Sequence, residues 1–273
     1  MDGIWPGTIY QKALSSLNIG FTPWSPERPV EIGDVGFFGS GDFKQMVNVM
    51  KPPDDDFNRG ALPNDYEPLS CKIEQRTTST IRHMIKMSKN ISLKSPTLAE
   101  FNAATAPLTF PITFHFVANG GPGAVVLSLG TGIIEEVAPN AEFEAHFAEN
   151  YRQWIDIALT CFSQEIREED LVLVRGHTKV DSRWIAIALN GSGRFTVEVD
   201  EANNVSVEKE KEFPLFMEHG DVIAADYARR LHQQDIAAGS DPQLFVEEDQ
   251  CLFFKYYTMK KRMWGSPKVV AIP

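Results

Sequence analysis

The sequence predicts an α+β fold, made mainly of antiparallel strands and hairpins with about two main helices packed on the sheet. Three observations lead there. Several short runs alternate apolar and polar residues, the period of a strand with one wet face. Clusters of Gly, Asn, Asp and Pro separate these runs. One longer segment repeats aromatic residues three and four apart, the period of a helix with one apolar face. Runs of strands interrupted by isolated helices place the chain in the α+β class.

A chain of 273 residues, 43% hydrophobic and 23% charged, matches ordinary globular usage and excludes wholesale disorder. Residues 1–30 read as an irregular lead-in and 31–273 as a single domain. The formal charge is −11, from 26 basic and 37 acidic residues. That balance argues against general nucleic-acid binding, which needs clustered positive charge to displace counterions. No apolar run reaches the ~18 residues of a membrane-spanning helix, and the opening MDGIWPGTIYQKALSSL lacks the basic-then-apolar order of a secretory signal. The expected location is the cytoplasm.

In chain order, the first element is a short helix near Ile9–Leu17, followed by a proline-marked irregular stretch. Glu31–Phe38 and Phe43–Met50 flank Gly39-Ser40-Gly41-Asp42 and read as a hairpin; Phe43, Gln45, Val47 and Val49 share one face of the return. Residues 51–69 form a loop rich in Pro, Asp and Asn, long enough that a functional or mobile role is expected. Ile81, His83, Ile85 and Met87 alternate in a basic strand. Phe110–Phe116 reads as an aromatic-faced strand with Pro111 at an edge or bulge; Asn119–Gly123 reads as a turn and Ala124–Leu129 as a buried strand.

The best helix is about Ala141–Gln164, with Asn140 as N-cap, Glu142 and Glu144 in its first turn, and a stripe of Phe143, Phe147, Tyr151, Trp154, Ala158 and Cys161. Leu171–Val174 and Trp184–Leu189 are short strands separated by a polar excursion. Phe195–Val199 and Val205–Val207 form a hairpin, a second helix spans Asp221–Gln233, and Gln250–Met259 is a strand before the basic cluster Lys260–Arg262.

Most motifs dissolve on inspection. Cys71, Cys161 and Cys251 are odd in number and far apart, so three reduced thiols are expected and neither a disulfide framework nor a zinc site. The N-x-S triplets at Asn90, Asn190 and Asn204 are chance without a secretory route. Asp54, Asp56, Asn58 and Asp65 hold calcium-loop positions, but Gly60 falls one place late and Pro52-Pro53 replaces the entering helix, so a solvated acidic loop is the better reading. The glycine pairs at 121–123 and 130–132 do not spell a dinucleotide or phosphate loop. Neither a cofactor nor a metal is expected.

The segment Arg175–Trp184 gathers an imidazole, three cations and a carboxylate between two core strands, which suggests a loop site at the rim. Arg175, Lys179, Arg183 and Trp184 are the candidate ligand-binding residues, since guanidinium and ammonium donors favour anions. His177 and Asp181 are the candidate catalytic pair, as imidazole and carboxylate serve acid–base work where they meet.

Four pieces, IGDVGFFGSGDFKQMVNV at 32–49, NYRQWIDIA at 150–158, DLVLVRGHTKVDSRWIAIA at 170–188 and HGDVIAADYARRL onward from 219, resemble in order a large family of uncharacterised proteins from mushroom-forming fungi. That family's T-G is Arg175-Gly176 here, while Lys179 and Trp184 are retained. The resemblance implies no activity. A looser similarity, to the pore-forming domain of gasdermins, implies lipid binding through the strands at 77–88 and 108–129. Three functions are therefore expected in turn: a non-catalytic binding or effector domain for a protein or small anionic ligand; an enzyme on an anionic substrate; and a membrane-permeabilising protein.

Overall fold

A computed structural model of the chain describes residues 5–24, 30–39, 42–58, 61–69, 76–97, 100–101, 108–180, 183–202, 204–220, 250–261 and 267–273. These form two mostly antiparallel sheets and two main helices, an α+β arrangement as expected, in two interleaved compact units. The first unit takes Met1–Leu17, Thr80–Ile133 and Lys179–Gln250; the second takes Asn18–Ser79, Ile134–Thr178 and Cys251–Pro273. The expected lead-in is thus shared, its helix going to the first unit and Phe21, bridged to Phe254, to the second. The helix expected at Asp221–Gln233 lies outside the described residues.

In the second unit the strands are β1 (Asp34–Gly39), β2 (Asp42–Asn48), β3 (Arg76–Ile81), β7 (Gly132–Val137), β8 (Leu171–Val180), β12 (Gln250–Lys260) and β13 (Lys268–Ile272), several running on past the unit's limits. Their order is β13-β12-β8-β1-β2, with β7 pairing both β8 and β3. The long helix α2 (Ala141–Phe162) starts where expected, with the Asn140 side chain accepting from Phe143 N at 3.0 Å and Glu142 and Glu144 in the first turn. Its Phe143, Phe147, Tyr151, Trp154, Ile157 and Ala158 bury against Val35, Phe37, Leu171, Leu173 and Tyr257. Cys161, expected in that stripe, is exposed in the last turn, and Ile157 takes part instead.

The opposite sheet face carries an aromatic cluster. Phe21 stacks on Phe38 at 4.2 Å, and Phe254 meets Phe43 at 4.9 Å. The face expected for β2 reverses midway, because Val35 pairs with Val47 but Gly36 with Gln45, leaving Met46 as the extra residue of a bulge. Phe43 therefore joins the aromatic cluster, whereas Val47 and Val49 pack under α2. Gly36 is required there, since a Cβ would stand 2.2 Å from Lys44 O.

The 51–69 loop is anchored where described, and the anchor is a buried polar network. Asn58 accepts from Asn48 N at 2.7 Å and donates to the carbonyls of Asn48, Lys51 and Pro52. Asn48 in turn donates to Asp34 Oδ1 at 2.8 Å, and Glu31 N donates to Asp34 Oδ2 at 2.6 Å. Further along, Tyr66 OH lies 3.2 Å from Val49 O and 2.8 Å from His146 Nε2. So Asn58, read as a calcium-loop position, is a buried brace. No metal-competent group of His, Cys, Asp or Glu occurs among the described residues.

Burial holds the His146 imidazole below its ordinary range, with Glu149 and Glu142 opposing. A base that is harder to protonate when folded contributes stability that is complete above its unfolded pKa and declines as pH falls below it. The difference in urea unfolding free energy between the protein and His146→Gln is expected to change between pH 7 and pH 5, the unsubstituted protein losing stability relative to the variant in acid; a difference that does not vary with pH contradicts it.

The first unit is built on one bent antiparallel sheet of six strands among the described residues. Strands β6 (Ile112–Ser128) and β9 (Trp184–Val199) pair from Ile112↔Val199 to Ser128↔Trp184, interrupted only between Asn119 and Pro122. The expected turn at Asn119–Gly123 is therefore a bulge inside one 17-residue strand, matched across the ladder by Asn190-Gly191-Ser192-Gly193. The outer strands break at the same level. Beside β6, β4 (Met84–Met87) gives way to β5 (Ile91–Ser95); beside β9, β11 (Leu215–His219) gives way to β10 (Val205–Lys209). Asn90 fastens the β6 bend by donating to Gly120 O and Pro122 O while its carbonyl accepts from Asn119 N. Helix α1 (Pro6–Leu14) lays Ile9, Tyr10, Ala13 and Leu14 on β6 and β9. Among the described residues, no helix is long and apolar enough to cross a membrane, which says nothing of strands.

Candidate functional site

The polar run from Arg175 is not a rim loop. β8 continues unbroken to Val180, and Arg175 and His177 are each only 5% exposed. The alternation explains it: Arg175 and His177 continue the face of Leu171 and Leu173, with Gly176 and Thr178 on the other. Gly176 allows β7 to lie close, for a Cβ there would meet Glu136 Cβ at 2.6 Å.

Arg175 donates from Nη1 to Val137 O at 3.0 Å and from Nη2 to Ile272 O at 3.5 Å. Burial lowers its affinity for the proton, and the nearby Tyr257 and Glu136 oppose that. His177 Nε2 stands 3.4 Å from Glu135 Oε2. The same carboxylate receives Thr78 Oγ1 at 3.3 Å and Arg76 Nη2 at 3.5 Å. Glu136 is paired with Lys255, and Tyr257 OH accepts from Asn140 N at 3.0 Å, tying α2's cap to β12. Glu135 with His177, Thr78 and Arg76 thus makes one polar ladder across β7, β8 and β3, while Glu136, the next residue on β7, reaches Lys255 of β12 from the opposite face. A one-residue slip of β7 exchanges the two acids between faces and breaks these pairs, so they favour the observed register.

The expected partner of His177 was Asp181. Asp181 lies outside the described residues; among the described residues the imidazole meets Glu135. Of the remaining candidates, Lys179 is half-buried and Arg183 exposed, both in the first unit. Trp184 is 4% exposed, and its indole N–H donates to Gln250 Oε1. The sequence does carry a signal for Glu135 and Glu136: two adjacent acids in the short apolar strand GIIEEV call for cations from neighbouring strands.

A second arrangement, which the sequence did not suggest, opens to solvent in the first unit. Where β9 exchanges β10 for β11, residues 210–214 cross its bend, held by Glu210 N to Arg194 O and Asn190 N to Pro214 O. A groove of 390 Å³ results, lined by Lys209, Glu212, Phe213, Pro214, Leu215 and Phe216. Phe213 is its floor, 7% exposed, and it lies on Gly191 and Gly193, whose Cβ atoms would come within 2.8 and 3.0 Å of it. Its ring meets Phe195 edge-on at 6.3 Å. The Lys209 ammonium sits 5.8 Å above the Phe213 ring and donates to Glu212 Oε2 at 3.1 Å and Phe213 O at 3.2 Å. Phe216 is 38% exposed.

No protein-family model matches the chain, and no curated protein matches it either.

Proposed function

We propose that this chain is a non-catalytic binding or effector domain that recognises a small anionic ligand or a protein, acting in the cytoplasm. One observation carries the reading. The residues suited to acid–base work on β8 are held inside the sheet by protein partners, whereas the accessible groove presents an ammonium over an aromatic floor. The free thiol of Cys161 suits a reducing compartment. The test is a screen of carboxylates, phosphates and sulfonates by thermal shift, with mass spectrometry of each compound afterwards. Saturable stabilisation with every compound recovered intact is the expected result; conversion of any compound contradicts it.

An enzymatic reading has one observation in its favour, the imidazole–carboxylate pair His177–Glu135. It requires turnover that His177→Gln abolishes while the melting temperature holds. Leakage from vesicles without anionic lipid favours the membrane-permeabilising reading instead.

A further inference from the structure

From the geometry of the 209–216 groove we infer the ligand class: a flat apolar or aromatic small molecule bearing one anionic group, held by Lys209 and stacked against Phe216 and the Phe213 floor. The inference rests on the binding reading above and adds a site and a chemistry to it.

Three features carry it. The floor is rigid before any ligand arrives, because Phe213 lies on two glycines and against Phe195. A surface that does not reorganise on binding loses less free energy to ordering. The cation is aimed and only partly used: among the described residues Lys209 employs two of its three N–H donors, on Glu212 and Phe213 O. Its carboxylate partner is also exchangeable, since the Glu212 side chain is 95% exposed while that of Lys209 is 28% exposed. A pair that water reaches on one side holds weakly. An incoming carboxylate, phosphate or sulfonate that displaces Glu212 keeps the ammonium neutralised and brings apolar surface with it. Phe216, exposed on β11 beside the floor, supplies the second ring. A neutral ligand leaves the ammonium with Glu212 and gains only the ring contact. A bare inorganic anion gains only the charge.

The two charged residues therefore respond in opposite directions. The test is an NMR titration of the full chain, recording backbone amide shifts, with 2-naphthalenesulfonate as probe and 2-naphthol and inorganic sulfate as controls. The expected result is saturable shifts at residues 209–216 and 191–193, with 2-naphthol roughly tenfold weaker, the cost of one charge-assisted hydrogen bond. Lys209→Gln is expected to weaken the sulfonate by about tenfold on the same ground. Glu212→Gln is expected to tighten it roughly two- to fivefold, the value of a competing surface pair. Should Lys209→Gln not fold, the tightening by Glu212→Gln remains decisive. Equal affinity for 2-naphthol, no saturable shift at millimolar sulfonate, or Glu212→Gln weakening the probe each overturns the groove. Saturable shifts elsewhere on the chain overturn the groove and leave the binding reading standing; turnover lost in His177→Gln overturns the reading itself.

Discussion

Asp34→Asn is expected to remove the largest pH-dependent component of this protein's stability. Asp34 is fully buried, and burial pushes its carboxyl from 3.8 up to about 7, against the opposing hydrogen bonds from Glu31 N and the side chains of Gln45 and Asn48. The charged groups around it are Glu31, which raises the pKa further, and Lys51, which is itself paired with Glu31 at 2.9 Å. Because the native state keeps this proton to a higher pH than the unfolded chain does, stability from this group is complete in acid, below the unfolded pKa. It is then lost as pH rises towards 7. A displacement of about three pH units corresponds to roughly 4 kcal/mol. Asparagine cannot ionise, so the difference in unfolding free energy between the two proteins is expected to change by about that amount between pH 4 and pH 8. The slope is the readout, since replacing an oxygen by NH2 opposite two donors shifts the intercept on its own. A difference that does not vary with pH contradicts the assignment. The acid limb assigned to His146 runs the other way and is common to both proteins, so it cancels.

Arg175→Ala is expected to be nearly as costly, but at every pH. The substitution removes two donors to Val137 O and Ile272 O and empties a buried volume between β7 and β8. Unpaired buried carbonyls cost about 1–3 kcal/mol and a large core truncation about 2–5 kcal/mol, so a total loss of ~4 kcal/mol is expected. Arg175→Met fills most of the volume and removes a charge that burial disfavours. Its cost is expected near 1 kcal/mol, as when buried ionic groups give way to apolar residues of similar size. The ratio between the two distinguishes an interior brace from an exposed ligand-binding cation, for which both changes leave stability within about 0.5 kcal/mol.

Much of the fold was legible because it is written locally. The aromatic spacing and the Asn140 cap fix α2, and alternation with turn residues fixes the β1–β2 and β9–β10 hairpins. What was not legible depends on partners distant in sequence. Asn119–Gly123 has turn chemistry, yet Gly191 and Gly193 on the neighbouring strand make it a shared bend. Arg175 and His177 look like a solvated connection until β7 supplies Glu135 and the carbonyl of Val137. Strand β13, five residues from Lys268 to Ile272, is too short to read without β12 beside it. The groove is illegible for the same reason, since its floor requires Phe213 to find glycines some twenty residues upstream. Asn58 shows the converse: a motif position that matched a calcium loop serves the backbone.

Hydrogen exchange of the peptide covering Leu171–Val180 tests most directly whether β8 is an interior strand whose polar side chains are structural. Paired with β1, β7 and β12, its amides are expected to exchange only as slowly as the whole sheet opens, in step with those of β1 and β12. If residues 175–180 instead exchange as fast as the exposed turn at 200–202, the segment is a mobile connection and the ladder of Glu135, Arg175 and His177 does not hold it.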